Sequence, residues 1–226
     1  MVEQKPASPV KPQRGYIAVE GPIGVGKTSF ARMLSEKLSA RLVLDESGSN
    51  PFVARFYEDP DKFAFPAQLY FLLIRYRQQR ELVQRELFTQ ATVCDYLFSK
   101  DRIFATLNLS PEELVLYEQI YKLLDAQMAK PDLVIYMWAR SEVLIERLRR
   151  RKRDFERHIS VEYLERLSAA YRDFFFYYEE TPLLVVDTSA MDFIEHPDDL
   201  EELIREIERT HTGVQHYVPR LRSGGR

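Results

Sequence analysis

The chain has a single cysteine, Cys94, in 226 residues, so it cannot hold an internal disulfide. That excludes a disulfide-stapled scaffold and points to a reducing compartment, the cytoplasm. No apolar run approaches the roughly 20 residues that a membrane-crossing helix needs. The polar start, residues 1–14, is rich in proline and lysine and lacks the apolar core of a secretory signal. Glycine is scarce, no segment repeats, and no low-complexity linker divides the chain. Net charge is only −3, so the molecule as a whole is no binder of nucleic acid or of a charged membrane surface.

What is present suits one domain with a sizeable core: 45% of residues are hydrophobic and 30% charged. Short apolar runs at 15–20, 41–45, 91–94, 132–138 and 183–187 alternate with helical patterns at 27–39, 63–88, 111–129, 141–153, 161–178 and 198–210. Non-alternating strands between helices predict an α/β fold of three layers: a five-stranded parallel sheet with helices on both faces. The single domain spans 15–210, between a disordered tail at 1–14 and a flexible one at 211–226. Functional groups are expected beyond the carboxyl ends of the strands.

The first strand runs straight into Gly21-Pro22-Ile23-Gly24-Val25-Gly26-Lys27-Thr28, and a helical pattern follows. This is a phosphate-binding loop in its proper context. Its glycines let successive N–H groups face one anion, and the helix adds its positive end. Lys27 reaches the β- and γ-phosphates of a bound nucleotide such as ATP, and the Thr28 hydroxyl binds Mg²⁺.

The destination of the γ-phosphate has to be read elsewhere. A GTPase would need Asn/Thr-Lys-x-Asp, which is absent, and Asp45-Glu46-Ser47-Gly48 is too short a match to D-x-x-G to count. A mechanical ATPase would end an apolar strand in Asp-Glu; here the third strand ends in Asp95-Tyr96. A small-molecule kinase needs an arginine lid and an acceptor pocket. Arg147 to Arg153 holds six cations in seven residues, with Arg147 and Arg151 on one helical face. Such arginines stabilise charge on a transferring phosphoryl group. Glu46 and Asp95 both follow strands. One carboxylate near the acceptor hydroxyl takes its proton, another holds Mg²⁺, and the residues alone do not divide those roles.

These motifs together resemble the deoxynucleoside kinase family, nearest its bacterial deoxyadenosine/deoxyguanosine members, over roughly residues 15–190. The resemblance lies in the loop itself, in Glu46 with Asn50-Pro51-Phe52, in Phe56-Tyr57-Glu58-Asp59-Pro60, in Gln68 followed by Arg75, and in Arg147, Arg151, Arg153 and Glu156. It implies a P-loop kinase fold, a 5′-hydroxyl acceptor and a homodimer formed through the 63–88 and 111–129 helices. It implies that Glu46 is the base near the 5′-hydroxyl, with Asp95 near metal and phosphates and competing for that role. Tyr57 and Glu156 resemble the residues that hold the sugar 3′-hydroxyl. Gln68, Arg75 and Asp101 resemble the base-reading set, and Arg147, Arg151 and Arg153 the lid. Phe52, Phe56, Phe63, Phe71 and Phe104 are the aromatics available to stack on a base. The family's Asp-Arg-Ser motif reads here Asp95-Tyr96-Leu97; the resemblance implies an arginine that neutralises charge beside the acceptor oxygen, so either Lys100, Arg102 or a lid arginine takes its place or the rate falls.

The expected activity is ATP-dependent phosphorylation of a deoxynucleoside, with purines favoured. The alternatives are a nucleoside monophosphate kinase resembling thymidylate kinase, and a regulatory P-loop ATPase or nucleotide sensor.

Overall fold

The run Tyr16–Glu20 forms β1, and all five of its residues are buried. A strand covered on both faces has no solvent side to make polar, which is why the run is apolar up to Glu20. The computed structural model describes residues 15–85, 91–151, 159–191, 193, 197–210 and 212–219. In it β1 lies inside a sheet of order β2-β3-β1-β4-β5-β6. The other strands are β2 (Arg41–Val43), β3 (Thr92–Cys94), β4 (Leu133–Trp138), β5 (Leu183–Asp187) and β6 (Val214–Tyr217). All neighbouring pairs are parallel.

The α/β class and the parallel sheet follow the sequence; the strand count does not. Six strands replace the expected five, because Val214–Tyr217 pairs with β5 inside the stretch read as a flexible tail. Its residues alternate between exposed and half-buried, as an edge strand's do. Four residues of that kind give too faint an apolar signal to be read in sequence.

The helices are α1 (Lys27–Lys37), α2 (Val53–Glu58), α3 (Pro60–Arg85), α4 (Lys100–Asn108), α5 (Pro111–Asp125), α6 (Ser141–Arg151), α7 (Val161–Phe176) and α8 (Pro197–Arg209). Periodicity misses α2 and α4, of six and nine residues, because neither completes enough turns to show a stripe. α5 opens on a capping box between Ser110 and Glu113, with Pro111 in its first turn, as Ser-Pro-Glu-Glu suggests. Among the described residues no helix is long and apolar enough to cross a membrane.

Strand alternation sorts the interior into two cores. Ile17, Val19, Ile135, Met137 and Val186 face one way, against Phe30 and Leu34 of α1 and Leu203 of α8. Ala18, Val134, Tyr136 and Val185 face the other, against Ile103 of α4 and Leu167, Tyr171 and Phe175 of α7. These are the two cores of a three-layer sandwich. The chain leaves β1 towards β2 on one side and leaves β3 towards β4 on the other. A crevice therefore opens between the ends of β1 and β3, where open α/β sheets bind ligands.

Two glycines shape the first of those ends. Gly21 has φ 154°, and a Cβ there would lie 2.1 Å from the Met137 carbonyl oxygen of β4. Gly26, with φ 102°, has no such neighbour. Gly26→Ala should therefore cost about 1–2 kcal/mol of left-handed strain. Gly21→Ala must also push β1 off β4 and should cost more. Urea midpoints of the two variants decide this, and equal midpoints would refute the role given to the Met137 contact.

Candidate active site

The crevice is built from two sides. On one, α1 begins at Lys27 after its N-cap Gly26 and brings Lys27 and Thr28 to the mouth of the loop. Lys27 Nζ donates to the carbonyls of Gly21 at 2.6 Å and Pro22 at 3.2 Å. Burial pulls its pKa down to about 8, with Glu20 opposing and Lys100 adding to the fall. The Thr28 hydroxyl donates to Asp95 Oδ2 at 2.7 Å. Asp95 Oδ1 accepts the Asp45 backbone N–H at 2.6 Å. Asp95 thus ties the phosphate loop to the segment after β2.

No sequence motif singles out Glu20, the last residue of β1. It is fully buried. It accepts from the Gly21 N–H at 2.8 Å, the Leu97 N–H at 2.9 Å and the Tyr171 hydroxyl at 3.0 Å. One carboxylate so joins the start of the loop, the segment after β3 and α7. The available signal is a charge at the end of an otherwise apolar strand, immediately before the first glycine.

On the other side α3 supplies Gln68, Phe71 and Arg75, and α4 supplies Lys100, Asp101 and Phe104. Arg75 grips Asp45 in bidentate fashion, Nε to Oδ1 at 3.2 Å and Nη2 to Oδ2 at 2.8 Å. Its Nη1 donates to Asp101 Oδ1. Lys100 Nζ donates to Asp45 Oδ2 at 2.8 Å. Burial opposes ionisation of Asp45, but Arg75 and Lys100 outweigh it and hold the carboxyl well below its usual range. For Asp101 burial prevails and pushes the pKa up to about 6, against the pull of Arg75 and Lys100. Asp101 Oδ2 and Gln68 Oε1 are buried acceptors with no hydrogen-bond partner among the described residues.

One cavity of about 900 Å³ spans both sides. Ile23 to Thr28, Tyr57, Gln68, Arg75, Asp95, Asp101 and Arg147 all line it, so the structure brings most of the expected set together. Of the five aromatics, Phe56, Phe71 and Phe104 line it, whereas Phe52 and Phe63 do not. Glu46 is exposed and outside the lining, which contains its neighbour Asp45 instead. Arg147 is turned onto the protein: its guanidinium donates to the carbonyls of Val25, Thr188 and Met191 and to the Thr188 hydroxyl. Arg150, from the same basic run, lines the cavity. Arg151 closes α6 and its side chain is outside the described set, as are Arg153 and Glu156 entirely. Asn50, from the Asn-Pro-Phe motif, pins the preceding segment to α3 by donating to the Ala67 carbonyl at 2.9 Å.

Residues 17–212 match the profile of the deoxynucleoside kinase family. The chain belongs to that family. It is 34% identical over 197 residues to the deoxyguanosine kinase of Bacillus subtilis (strain 168), covering 85% of this chain and 95% of the relative. It is also 34% identical over 164 residues to the deoxyadenosine kinase of Dictyostelium discoideum, covering 70% and 66%. Among solved structures, the deoxyadenosine kinase of M. mycoides with products dCMP and a flexible dCDP bound superposes with a TM-score of 0.75 at 25% identity, over 86% of this chain and 99% of that one. The same enzyme with bound dATP gives a TM-score of 0.72 at 26% identity, over 85% and 98%. The family's members are kinases that bind nucleotides, and the loop-and-cavity geometry is consistent with both.

Lys27 makes a pH test available. A lysine is charged below its pKa, so the loop loses its cation as pH rises through about 8. Affinity for a nucleoside triphosphate should hold below pH 7 and then fall, approaching about tenfold per pH unit above the pKa. Equilibrium binding from pH 6.5 to 9.5 measures it, and a flat profile would place the phosphate grip elsewhere.

Proposed function

We propose that this deoxynucleoside kinase moves the γ-phosphoryl group of ATP to the 5′-hydroxyl of a purine deoxynucleoside. The observation that carries this is one cavity lined both by the phosphate loop and by a buried polar set ending in two acceptors, Gln68 Oε1 and Asp101 Oδ2, that have no partner among the described residues. Acceptors of that kind suit a base with an amino group, and Arg75 beside them suits purine ring acceptors. The deoxyguanosine and deoxyadenosine kinases among the relatives support the same choice.

The chemistry divides along the cavity. The loop N–H groups and Lys27 hold the β- and γ-phosphates. Thr28 and Asp95, a hydroxyl and a carboxylate in contact at the loop mouth, are a donor set that fits Mg²⁺. When bound there, that ion neutralises phosphate charge. Asp95 already accepts from Thr28 of the loop on one oxygen and from the Asp45 N–H on the other, so Glu46 is the proposed acceptor of the 5′-hydroxyl proton, after its exposed side chain turns inwards. Tyr57 and Glu156 hold the sugar, and Arg151 and Arg153 close over the phosphates, with Arg147 as their anchor. As the new O–P bond forms, the bond from the γ-phosphorus to the bridging oxygen breaks and ADP leaves. Closure excludes water that would otherwise take the phosphoryl group.

The decisive assay incubates the protein with Mg-ATP and a panel of deoxynucleosides, ribonucleosides and monophosphates. Deoxyadenosine or deoxyguanosine should yield the 5′-monophosphate with one ADP each. ADP without nucleoside product would sink the reading. Gln68→Ala should weaken nucleoside selection and leave ATP binding intact.

A homodimer fits the surface. Leu73 on α3 and Val115, Leu116 and Leu123 on α5 are exposed apolar side chains. Leu116 and Leu123 lie seven residues apart, on one helical face. Leu116→Glu combined with Leu123→Glu should give a monomer in sedimentation; an unchanged species would move the interface elsewhere. The proposed compartment is the cytoplasm, in keeping with the lone buried thiol of Cys94.

A further inference from the structure

The strand-end acid Asp95 is followed by Tyr96, where the family pattern has an arginine. Tyr96 is fully buried, and its ring lies 5.8 Å from the Arg75 guanidinium. It cannot supply the charge. Two cations follow in the chain. Arg102 points away: its side chain is 45% exposed and pairs with Glu118 of α5 at 2.8 Å. Lys100 is buried and lines the cavity.

Lys100 is held charged against its burial by Asp45, but other features of its surroundings disfavour a cation. It is the first residue of α4, at the positive end of that helix, where an acid would be favoured. It is buried beside Arg75 and within electrostatic reach of Lys27, both cations. Its partner Asp45 already has a bidentate arginine. Asp45 also donates its backbone N–H to Asp95, whose other oxygen holds Thr28. The ammonium thus stands at the joint between the phosphate loop and the acceptor half.

We propose that Lys100 is the acceptor-side cation of phosphoryl transfer, in the role for which the family pattern uses the arginine after the strand-end acid. The proposal rests on the kinase reading above. Lys27 serves the donor side and Lys100 the acceptor side. Among the described residues Lys100 uses one N–H, on Asp45, and an ammonium has three. The other two are free to meet the acceptor oxygen and an equatorial γ-phosphoryl oxygen. Lys100 transfers no proton: the hydroxyl proton goes to the carboxylate base, and ADP leaves with the bridging oxygen. Asp45 and burial fix the ammonium beforehand, so little reorganisation accompanies the reaction.

The test is steady-state kinetics on Lys100→Met, Lys100→Arg and Arg102→Met, with urea midpoints for each. Lys100→Met should lower kcat about 100-fold while the KM for ATP changes by less than about threefold. Its midpoint should stay near wild type, because Arg75 still pairs Asp45. Lys100→Arg, or methylammonium added to Lys100→Met, should restore part of the rate. Arg102→Met should turn over normally. A kcat loss under threefold, a loss confined to KM, or a loss that the cation fails to rescue would overturn the assignment. If Lys100→Met does not fold, Asp45→Asn with Lys100→Met removes both charges, and its kcat is compared with that of Asp45→Asn alone; the same loss is expected, and equal rates would overturn the assignment. Failure of wild type to phosphorylate any nucleoside would instead reject the kinase reading, independently of Lys100.

Discussion

Charges buried without partners are costly, on the order of several kcal/mol per ion even after relaxation. At the carboxyl edge of this sheet Glu20, Lys27, Asp45, Arg75, Asp95, Lys100 and Asp101 gather together, and none is more than partly exposed. Each is tolerable only because of the others. Arg75 lies between Asp45 and Asp101, Lys100 shares Asp45, and the Asp95 carboxylate is held by a hydroxyl and a backbone N–H. Glu20 relies on two backbone donors and a tyrosine. The ends of β1, β2 and β3 and the faces of α3 and α4 must therefore arrive together. The crossover that places β1 beside β3 is what brings them there.

Such a cluster adds little stability, since apolar side chains of equal volume would serve as well or better. Its use is preorganisation. Arg75 is held by two carboxylates, Asp45 and Asp101, on the α3 and α4 side of the cavity. Asp45 is the hub: its side chain restrains two cations and its backbone restrains Asp95. Deleting it would leave Lys100 without its hydrogen-bonded partner and Arg75 with Asp101 alone. In the proposed mechanism the division into a donor half and an acceptor half thus depends on one aspartate next to a short edge strand.

The sequence carries the parts of this that are local. The phosphate loop is contiguous, β1, β4 and β5 are apolar enough to stand out, and Asp95, Gln68, Arg75 and Asp101 fall in ordered motifs. Three kinds of feature escape it. Short elements such as α2, α4 and β6 have too few residues to show a period. Glu20 and Asp45 act through partners 151 and 30 residues away, in Tyr171 and Arg75, and no spacing encodes that. Side-chain direction also escapes: Glu46 and Asp45 are adjacent, yet the structure exposes the first and places the second in the cavity.

The basic run on α6 shows why direction matters more than composition. Arg147 and Arg150 are one turn apart, and by charge alone they are equivalent lid residues. Arg147 donates to three backbone carbonyls and a hydroxyl, tying Val25 of the phosphate loop to the segment after β5. Its donors are committed to the protein, and its geometry fixes where the loop sits. Arg150 faces the cavity. Arg75 is likewise immobilised, by the carboxylates of Asp45 and Asp101, whereas the proposed mechanism sets the compact charges of Lys27 and Lys100 beside the place of transfer. For both Arg147 and Arg75 the N–H groups are taken by carbonyls and carboxylates remote in the chain, so their orientation is fixed by the fold and not by the neighbouring sequence.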